Sequence, residues 1–174
     1  MVTIRKLTLT VAAASAATLA VAMLSTTPAL ASSEHHHGHN VIRAELVGSM
    51  PAPASPTIAK IQPGGAPWVN GPSSVRVRDN GRIDVHIRGL VIPPPVGTGV
   101  NPVLSAVATL VCGDMVDATG RGSTQPFALS TAGDGSTRDH ILVPKHCHDA
   151  VVLIQPAGNR AVYIASTVDE EDDD

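Results

Sequence analysis

Aromatic side chains are nearly absent from this sequence. Trp68, Phe127 and Tyr163 are the only three in 174 residues. Surfaces that bind glycans or single-stranded nucleic acid by stacking present several exposed rings. Because three rings spread along a whole chain do not form such a platform, the composition argues against a stacking surface of either kind.

Charge imbalance is also absent where a folded domain is expected. Residues 32–168 contain ten Lys or Arg and nine Asp or Glu, and the negative excess comes from six consecutive acids at residues 169–174. A balanced body gives no electrostatic reason to expect nucleic acid as a partner. The final acids predict a solvated, disordered tail.

Sequence motifs for catalysis are missing as well. The chain has no Gly-x-Ser-x-Gly turn of the kind that presents a serine nucleophile. Gly120-Arg121-Gly122-Ser123 and Gly133-Asp134-Gly135-Ser136 are typical of turns, because no helix follows whose N-terminus would hold a phosphate. We therefore expect no enzymatic activity and no cofactor, with a hydrolase of unrecognised site as an alternative.

The first 31 residues have the three parts of an export signal. Arg5 and Lys6 supply the positive start, an uncharged stretch follows over residues 7–24, and Ala29-Leu30-Ala31 fits the small-x-small rule for signal peptidase. The uncharged stretch borders on the length of a membrane span, so a retained N-terminal anchor is the alternative. The main prediction is a signal peptide at residues 1–31 and a secreted, extracellular product.

Cysteine is rarer still, with two in the chain. Cys112 ends the longest apolar run outside the N-terminus, and Cys147 stands just before the run 151–154. An oxidising space outside the cell lets a disulfide persist. We expect one between these cysteines, which would close a loop of about 36 residues and add roughly 4 kcal/mol on the chain-entropy argument.

A β-hairpin is the clearest local signal. Residues 74–78 and 82–88 both alternate apolar and polar side chains, and Asp79-Asn80-Gly81 lies between them. A three-residue turn pairs Val77 with Ile83 and keeps one face apolar, whereas a two-residue turn would mix the faces. The three-residue turn also predicts its glycine in the left-handed backbone region.

The other face of this hairpin is polar and rich in arginine. Its members are Arg76, Arg78, Arg82, Asp84, His86 and Arg88. Charged outer faces are one way in which sheets avoid edge-to-edge association. The sequence alone therefore favours a solvated, protective surface here.

Further strands are expected on both sides of the hairpin. The candidate ranges are 41–47, 57–61, 125–130, 139–143, 151–155 and 160–166, separated by turn residues. Short strands at this spacing, with no helical periodicity after the signal, predict an all-β fold. We expect an antiparallel, immunoglobulin-like β-sandwich over residues 41–168, with a small β-barrel as the alternative.

Histidine is concentrated in one short segment. Residues 32–40 contain His35, His36, His37 and His39 and lack apolar partners, so we expect a disordered linker. Imidazole suits Zn(II), Cu(II) and Ni(II), which makes the tract a candidate for weak metal binding. A flexible polar linker is the preferred interpretation.

A second group of histidines surrounds one cysteine. His146 and His148 flank Cys147, and His140 lies upstream. A structural zinc site normally takes closely spaced ligand pairs from both ends, and only aspartates lie near Cys112. A disulfide flanked by histidines is therefore preferred over a metal site.

Three features together form a pattern over residues 61–166. Gly65-Ala66-Pro67-Trp68-Val69 precedes the hairpin, Gly99-Val100-Asn101-Pro102 precedes the first cysteine run, and the second cysteine precedes the last two strands. This part of the chain resembles a loosely defined group of small secreted β-sandwich proteins from high-GC Gram-positive bacteria. The resemblance implies no activity that transfers to residues here, and it does not include the histidine tract or the acidic tail.

These features predict an exported, non-enzymatic module with a structural or interaction role. Its partner would be an extracellular protein or a cell-wall component, and contact with a membrane is expected only if the N-terminal segment is retained. An extracellular transition-metal binder that uses the histidine tract is the first alternative, and a hydrolase is the second.

Overall fold

Short extended segments, with no helix among them, make up the part of the chain that the structure describes. The computed structural model describes residues 39–113, 115–116 and 122–167. In chain order the strands are β1 (Asn40–Gly48), β2 (Gln62–Pro63), β3 (Ser74–Arg78), β4 (Arg82–Ile87), β5 (Ser105–Cys112), β6 (Met115–Val116), β7 (Phe127–Ala128), β8 (Gly135–His140), β9 (Ala150–Pro156), β10 (Val162–Tyr163) and β11 (Ala165–Thr167). The predicted all-β fold class is confirmed.

One antiparallel sheet contains all of the described strands except β2 and β10. Its strands follow the order β6-β5-β9-β11-β1-β3-β4-β8, and β7 pairs with β5 outside that path. The strand β8 begins against β7, where a Cβ on Gly135 would lie 2.7 Å from the carbonyl oxygen of Ala128. The two ends of the sheet therefore approach each other, and both a sandwich and a small barrel fit this arrangement.

The hairpin of β3 and β4 has the predicted register. Val77 pairs with Ile83, and three residues form the turn between the strands. Gly81 adopts a positive φ of 87°, as the predicted turn requires. A Cβ at this position would also lie 2.4 Å from the carbonyl oxygen of Ile141, so both backbone conformation and space demand glycine.

The apolar face of the hairpin packs into the main core. Its neighbours there include apolar residues of β5, β9 and β11, such as Leu110, Ile154 and Ala165. Trp68, which follows a glycine- and proline-rich loop, is buried in the same core. The alternation of Val, Ile and polar residues in the sequence thus sets which face of β3 and β4 is covered.

A disulfide joins the ends of two neighbouring strands of this sheet. Cys112 is the last residue of β5 and lies opposite Ala150 at the start of β9. Cys147 lies in the loop that leads into β9, and the two cysteine Cα atoms are 4.8 Å apart. The predicted Cys112–Cys147 bond is therefore confirmed.

The strands β5 and β9 are buried on both faces. On the side away from the main core, Val111 and Leu153 pack with Ile61 and Tyr163 in a second apolar cluster. The Tyr163 hydroxyl donates a 2.6 Å hydrogen bond to the carbonyl oxygen of Pro56. Chain segments around β2 and β10 therefore cover the outer side of this half of the sheet.

The predicted strand at residues 57–61 is wrong. Ala59 and Lys60 adopt positive φ angles of 47° and 69°, and the backbone groups of Ile58 and Ile61 bond to each other across a tight turn. Regular pairing begins only at Gln62. The apolar residues Ile58 and Ile61 suggested a strand, but they lie at the two ends of a turn.

Three other strands differ in extent from their predictions. The predicted strand at 125–130 is shortened to β7, which pairs with β5 through Phe127 and Ala128. The strand β8 covers residues 135–140 instead of 139–143, because an almost wholly polar segment pairs with β4 along its length. The predicted strand at 160–166 is divided: β10 pairs with β2, and β11 pairs with β1 and β9. The interruption falls at Ile164, whose backbone N–H bonds to the carbonyl oxygen of Ile154.

The first and last described strands lie close to the predicted limits of the folded domain. The strand β1 begins at Asn40, one residue before the predicted start of the folded domain, and β11 ends at Thr167. The predicted signal at 1–31 and acidic tail at 169–174 lie outside the described residues.

Candidate functional site

The polar face of the hairpin is widened by the strands on either side of it. Arg43 of β1 lies opposite Arg76 of β3. Arg76 lies opposite Asp84 of β4, which in turn lies opposite Arg138 of β8. Because directly paired residues point to the same side of a sheet, these four side chains form one row across four strands.

These residues belong to a basic surface that we call the arginine face. It consists of Arg43, Arg76, Arg78, Arg82, Arg138 and Asp84, which line one hollow of about 340 Å³ together with Ser74, Val75 and His86. With five guanidinium groups and one carboxylate, this lining carries a formal charge of +4.

The single carboxylate of the arginine face is bonded to two of its arginines. Asp84 accepts hydrogen bonds from Arg138 Nε at 2.6 Å and from Arg82 Nε at 3.2 Å, one at each of its oxygens. Burial favours the neutral acid, but the hydrogen bonds and positive charges of the two arginines outweigh it and hold the pKa of Asp84 below its ordinary value. The carboxylate is therefore ionised at neutral pH and its charge is shared by two neighbours.

The other three arginines lack such a partner. Among the described residues, no carboxylate lies within ion-pair distance of Arg43, Arg76 or Arg78. Glu45 on β1 lies opposite Ser74 and makes no ion pair with them. Like charges placed directly opposite each other destabilise a sheet. The Arg43–Arg76 pair therefore costs stability unless an anion lies between the two side chains.

Sequence reasoning found only part of this surface. It placed Arg76, Arg78, Arg82 and Asp84 on one face, and the register confirms that placement. It missed Arg43 and Arg138, which arrive from other strands. A prediction that β1 and a polar strand flank the hairpin would have found both, but no local pattern specifies such long-range pairing.

Only one histidine of the N-terminal tract lies in the described part of the chain. The carbonyl oxygen of His39 accepts a 3.0 Å hydrogen bond from the backbone N–H of Asp79, which places it beside the hairpin turn. His35, His36 and His37 lie outside the described residues. Metal binding by the tract stays a prediction, and titration calorimetry with Zn(II) and Cu(II), with and without residues 32–40, tests it.

The histidines near the disulfide form a stacked pair. The ring centroids of His146 and His148 are 6.4 Å apart, with 13° between the planes. His140 lies on β8 opposite Arg82. Within the described residues, no group of three or more His, Cys, Asp or Glu has the arrangement of a metal site.

A wider hollow lies between the hairpin turn and the disulfide. Its volume is about 840 Å³, and its lining includes Asp79, Asn80, Lys145, His146 and Cys147. Asp79 and Asn80 belong to the predicted Asp79-Asn80-Gly81 turn, and the sulfur of Cys147 is bonded in the disulfide. Among the described residues that line it, no serine, threonine or free thiol is present to act as a nucleophile.

Comparison with known proteins identifies no relative. The chain matches no protein-family model, no curated protein and no solved structure. Within the described residues, no helix has the length and hydrophobicity that a membrane crossing requires. The chemistry of the arginine face is therefore the main guide to function.

Proposed function

We propose that the protein is an exported, non-enzymatic interaction domain that binds its partner through the arginine face. The observation that carries the proposal is the unbalanced charge of one hollow, in which five arginines face a single aspartate. Guanidinium groups that have no carboxylate partner attract anionic ligands and raise the rate of encounter with them. An immunoglobulin-like arrangement of the strands is part of the same proposal.

The compartment is supported by two independent features. A disulfide joins Cys112 to Cys147, and such bonds persist in oxidising spaces. The first 31 residues have the composition of a secretory signal. Mass spectrometry of culture supernatant should find a product that begins at Ser32 and whose cysteines resist alkylation until they are reduced. A product found only inside the cells, with alkylatable thiols, would contradict export.

Binding to cell-surface material tests the interaction role directly. We expect the purified protein to co-sediment with the envelope fraction of the producing cells at low salt and to be released by high salt, because exposed charges are screened. The variant Arg43→Gln/Arg76→Gln should lose this binding. The matched control, Lys60→Gln/Lys145→Gln, removes the same charge elsewhere and should keep it. Equal binding by both variants would refute the role of the arginine face.

A further inference from the structure

The arginine face contains a cross-strand arrangement that is unfavourable without a ligand. Arg43 and Arg76 are directly paired on neighbouring strands, which lie about 4.8 Å apart in a sheet. Arg76 is half-buried and Arg43 is exposed. Asp84 lies opposite Arg76 but already accepts from Arg82 and Arg138. One further anion would offset part of the remaining positive charge.

Edge protection does not account for this arrangement. Charged residues that prevent edge-to-edge association are needed on the outermost strands of a sheet. Here β1 and β3 are interior strands, with β11 on one side and β4 on the other. Arg43 and Arg76 therefore lie away from the exposed edge at β8.

The geometry points to a phosphate monoester, carried by an extracellular ligand, as the group that binds between Arg43, Arg76 and Arg78. This inference rests on the proposed function and names the chemistry of its ligand. A phosphate monoester carries a charge of about −2 near neutral pH and has three strong acceptor oxygens. Three guanidinium groups without carboxylate partners match both properties, since each presents a planar fork of donors to an oxyanion.

Other anions match the arginine face less well. A carboxylate offers a single charge and two oxygens, and a sulfate monoester has three oxygens but a single charge. The lining of the hollow contains no Phe, Tyr or Trp ring that would stack on a base or a sugar. Recognition would therefore depend on the charged group, with Ser74 and His86 as further polar contacts at the hollow.

Calorimetric titration with methyl phosphate and methyl sulfate at low salt tests the inference. The two probes have the same shape and differ in charge. We expect methyl phosphate to bind several-fold more tightly to the full chain with its disulfide intact. The variant Arg43→Gln/Arg76→Gln should weaken this binding about tenfold or more, because hydrogen bonds between charged groups are lost. Equal affinity for the two probes would overturn the assignment.

Two further variants separate a built site from a general basic surface. Arg43→Lys/Arg76→Lys keeps the charge but removes the planar forks, so we expect it to lose most of the affinity that the glutamine variant loses. The control Lys60→Gln/Lys145→Gln should bind as the wild type does. Full binding by the lysine variant, or equal loss in the control, would show that only net charge matters.

The results of this titration and of the envelope assay are distinguishable. If the protein sediments with envelope material through its arginines but methyl phosphate gives no heat, the interaction domain stands and the phosphate assignment falls. If methyl phosphate binds at the arginine face but no envelope material is retained, the site stands and its proposed role at the cell surface falls.

Discussion

The two halves of the sheet differ in whether their outer faces are covered. In the half formed by β5 and β9, residues on both sides of the strands are buried, and the chain itself supplies the cover through β2, β10 and Tyr163. In the half formed by β3, β4 and β8, the inner face of β3 and β4 is buried in the core, the corresponding face of β8 is half-buried, and the outer side carries the arginine face. One sheet thus has a half that the chain covers and a half that the described residues leave open.

Polar groups in the covered half are satisfied within the molecule. Thr109 donates to Gln155 Oε1 at 2.6 Å, and Arg160 donates to the hydroxyl oxygens of Thr109 and Ser123. In the open half, three arginines have no carboxylate partner among the described residues. This contrast supports the proposal that the open face binds an anion, since an uncompensated like-charge pair lowers stability.

The largest expected effect on stability comes from removing the disulfide of the covered half. Replacing both cysteines, Cys112→Ser/Cys147→Ser, should lower the free energy of unfolding by about 2–4 kcal/mol, because the unfolded chain is no longer constrained. Urea unfolding of the variant, of the oxidised wild type and of the reduced wild type measures this. Reduced wild type should resemble the variant, and an unchanged free energy of unfolding would contradict the role of the bond.

Removing one hydrogen bond from the segments that cover β5 and β9 should have a smaller effect on stability. Tyr163→Phe removes the hydroxyl that bonds to Pro56 and should lower the free energy of unfolding by about 1 kcal/mol. Val96→Ala, at an exposed loop position, serves as the control and should have no measurable effect. If thermal unfolding finds the two variants equally stable, the Tyr163 bond does not hold the cover in place.

In the open half, Asp84→Asn should change stability and binding in opposite directions. It removes the carboxylate that Arg82 and Arg138 share, which should cost up to about 1 kcal/mol of stability at pH 7. It also adds one net positive charge, so methyl phosphate should bind more tightly. Weaker binding would mean that Asp84 positions the arginines for the ligand instead of competing with it.

The same carboxylate predicts a dependence on pH. Because its pKa is lowered in the folded protein, Asp84 contributes stability above its unfolded pKa of about 4, and the contribution is lost as the pH falls through the folded value. The stability difference between wild type and Asp84→Asn should therefore disappear in strong acid. A difference that is equal at neutral and acidic pH would contradict the ion pairs.

The smallest expected change in stability compares an arginine of the open half with one of the covered half. Arg43→Gln relieves the like-charge pair and should raise the free energy of unfolding by about 0.2–1 kcal/mol in the absence of ligand. The same change in the covered half, Arg160→Gln, removes hydrogen bonds and should lower the free energy of unfolding. If both substitutions destabilise equally, Arg43 has a structural role.

Local chemistry made one part of this fold predictable. Asp79-Asn80-Gly81 fixes the turn, and the alternation around it fixes which side chains face the core, so the hairpin register followed from residues that are close in sequence. The disulfide followed from a chain with only two cysteines. Neither prediction required knowledge of which distant strands become neighbours.

The complete arginine face could not be predicted in that way. Arg43 and Arg138 join it because β1 and β8 pair with the two sides of the hairpin, and 95 residues separate these two arginines in the sequence. The segment of β8 is polar on both faces, so it lacks the alternation that identifies a strand. Sequence reasoning therefore gave a protective surface where the assembled sheet gives a hollow of excess positive charge.

Amide NMR of the isotope-labelled protein during titration with methyl phosphate tests the central claim most directly. The account predicts shifts confined to the open half, at Arg43, Arg76 and Arg78 and their neighbours, with none at Lys60, Arg160 or the strands of the covered half. Shifts spread evenly over basic residues of both halves, or no shifts at all, would contradict the claim that the arginine face is a binding site.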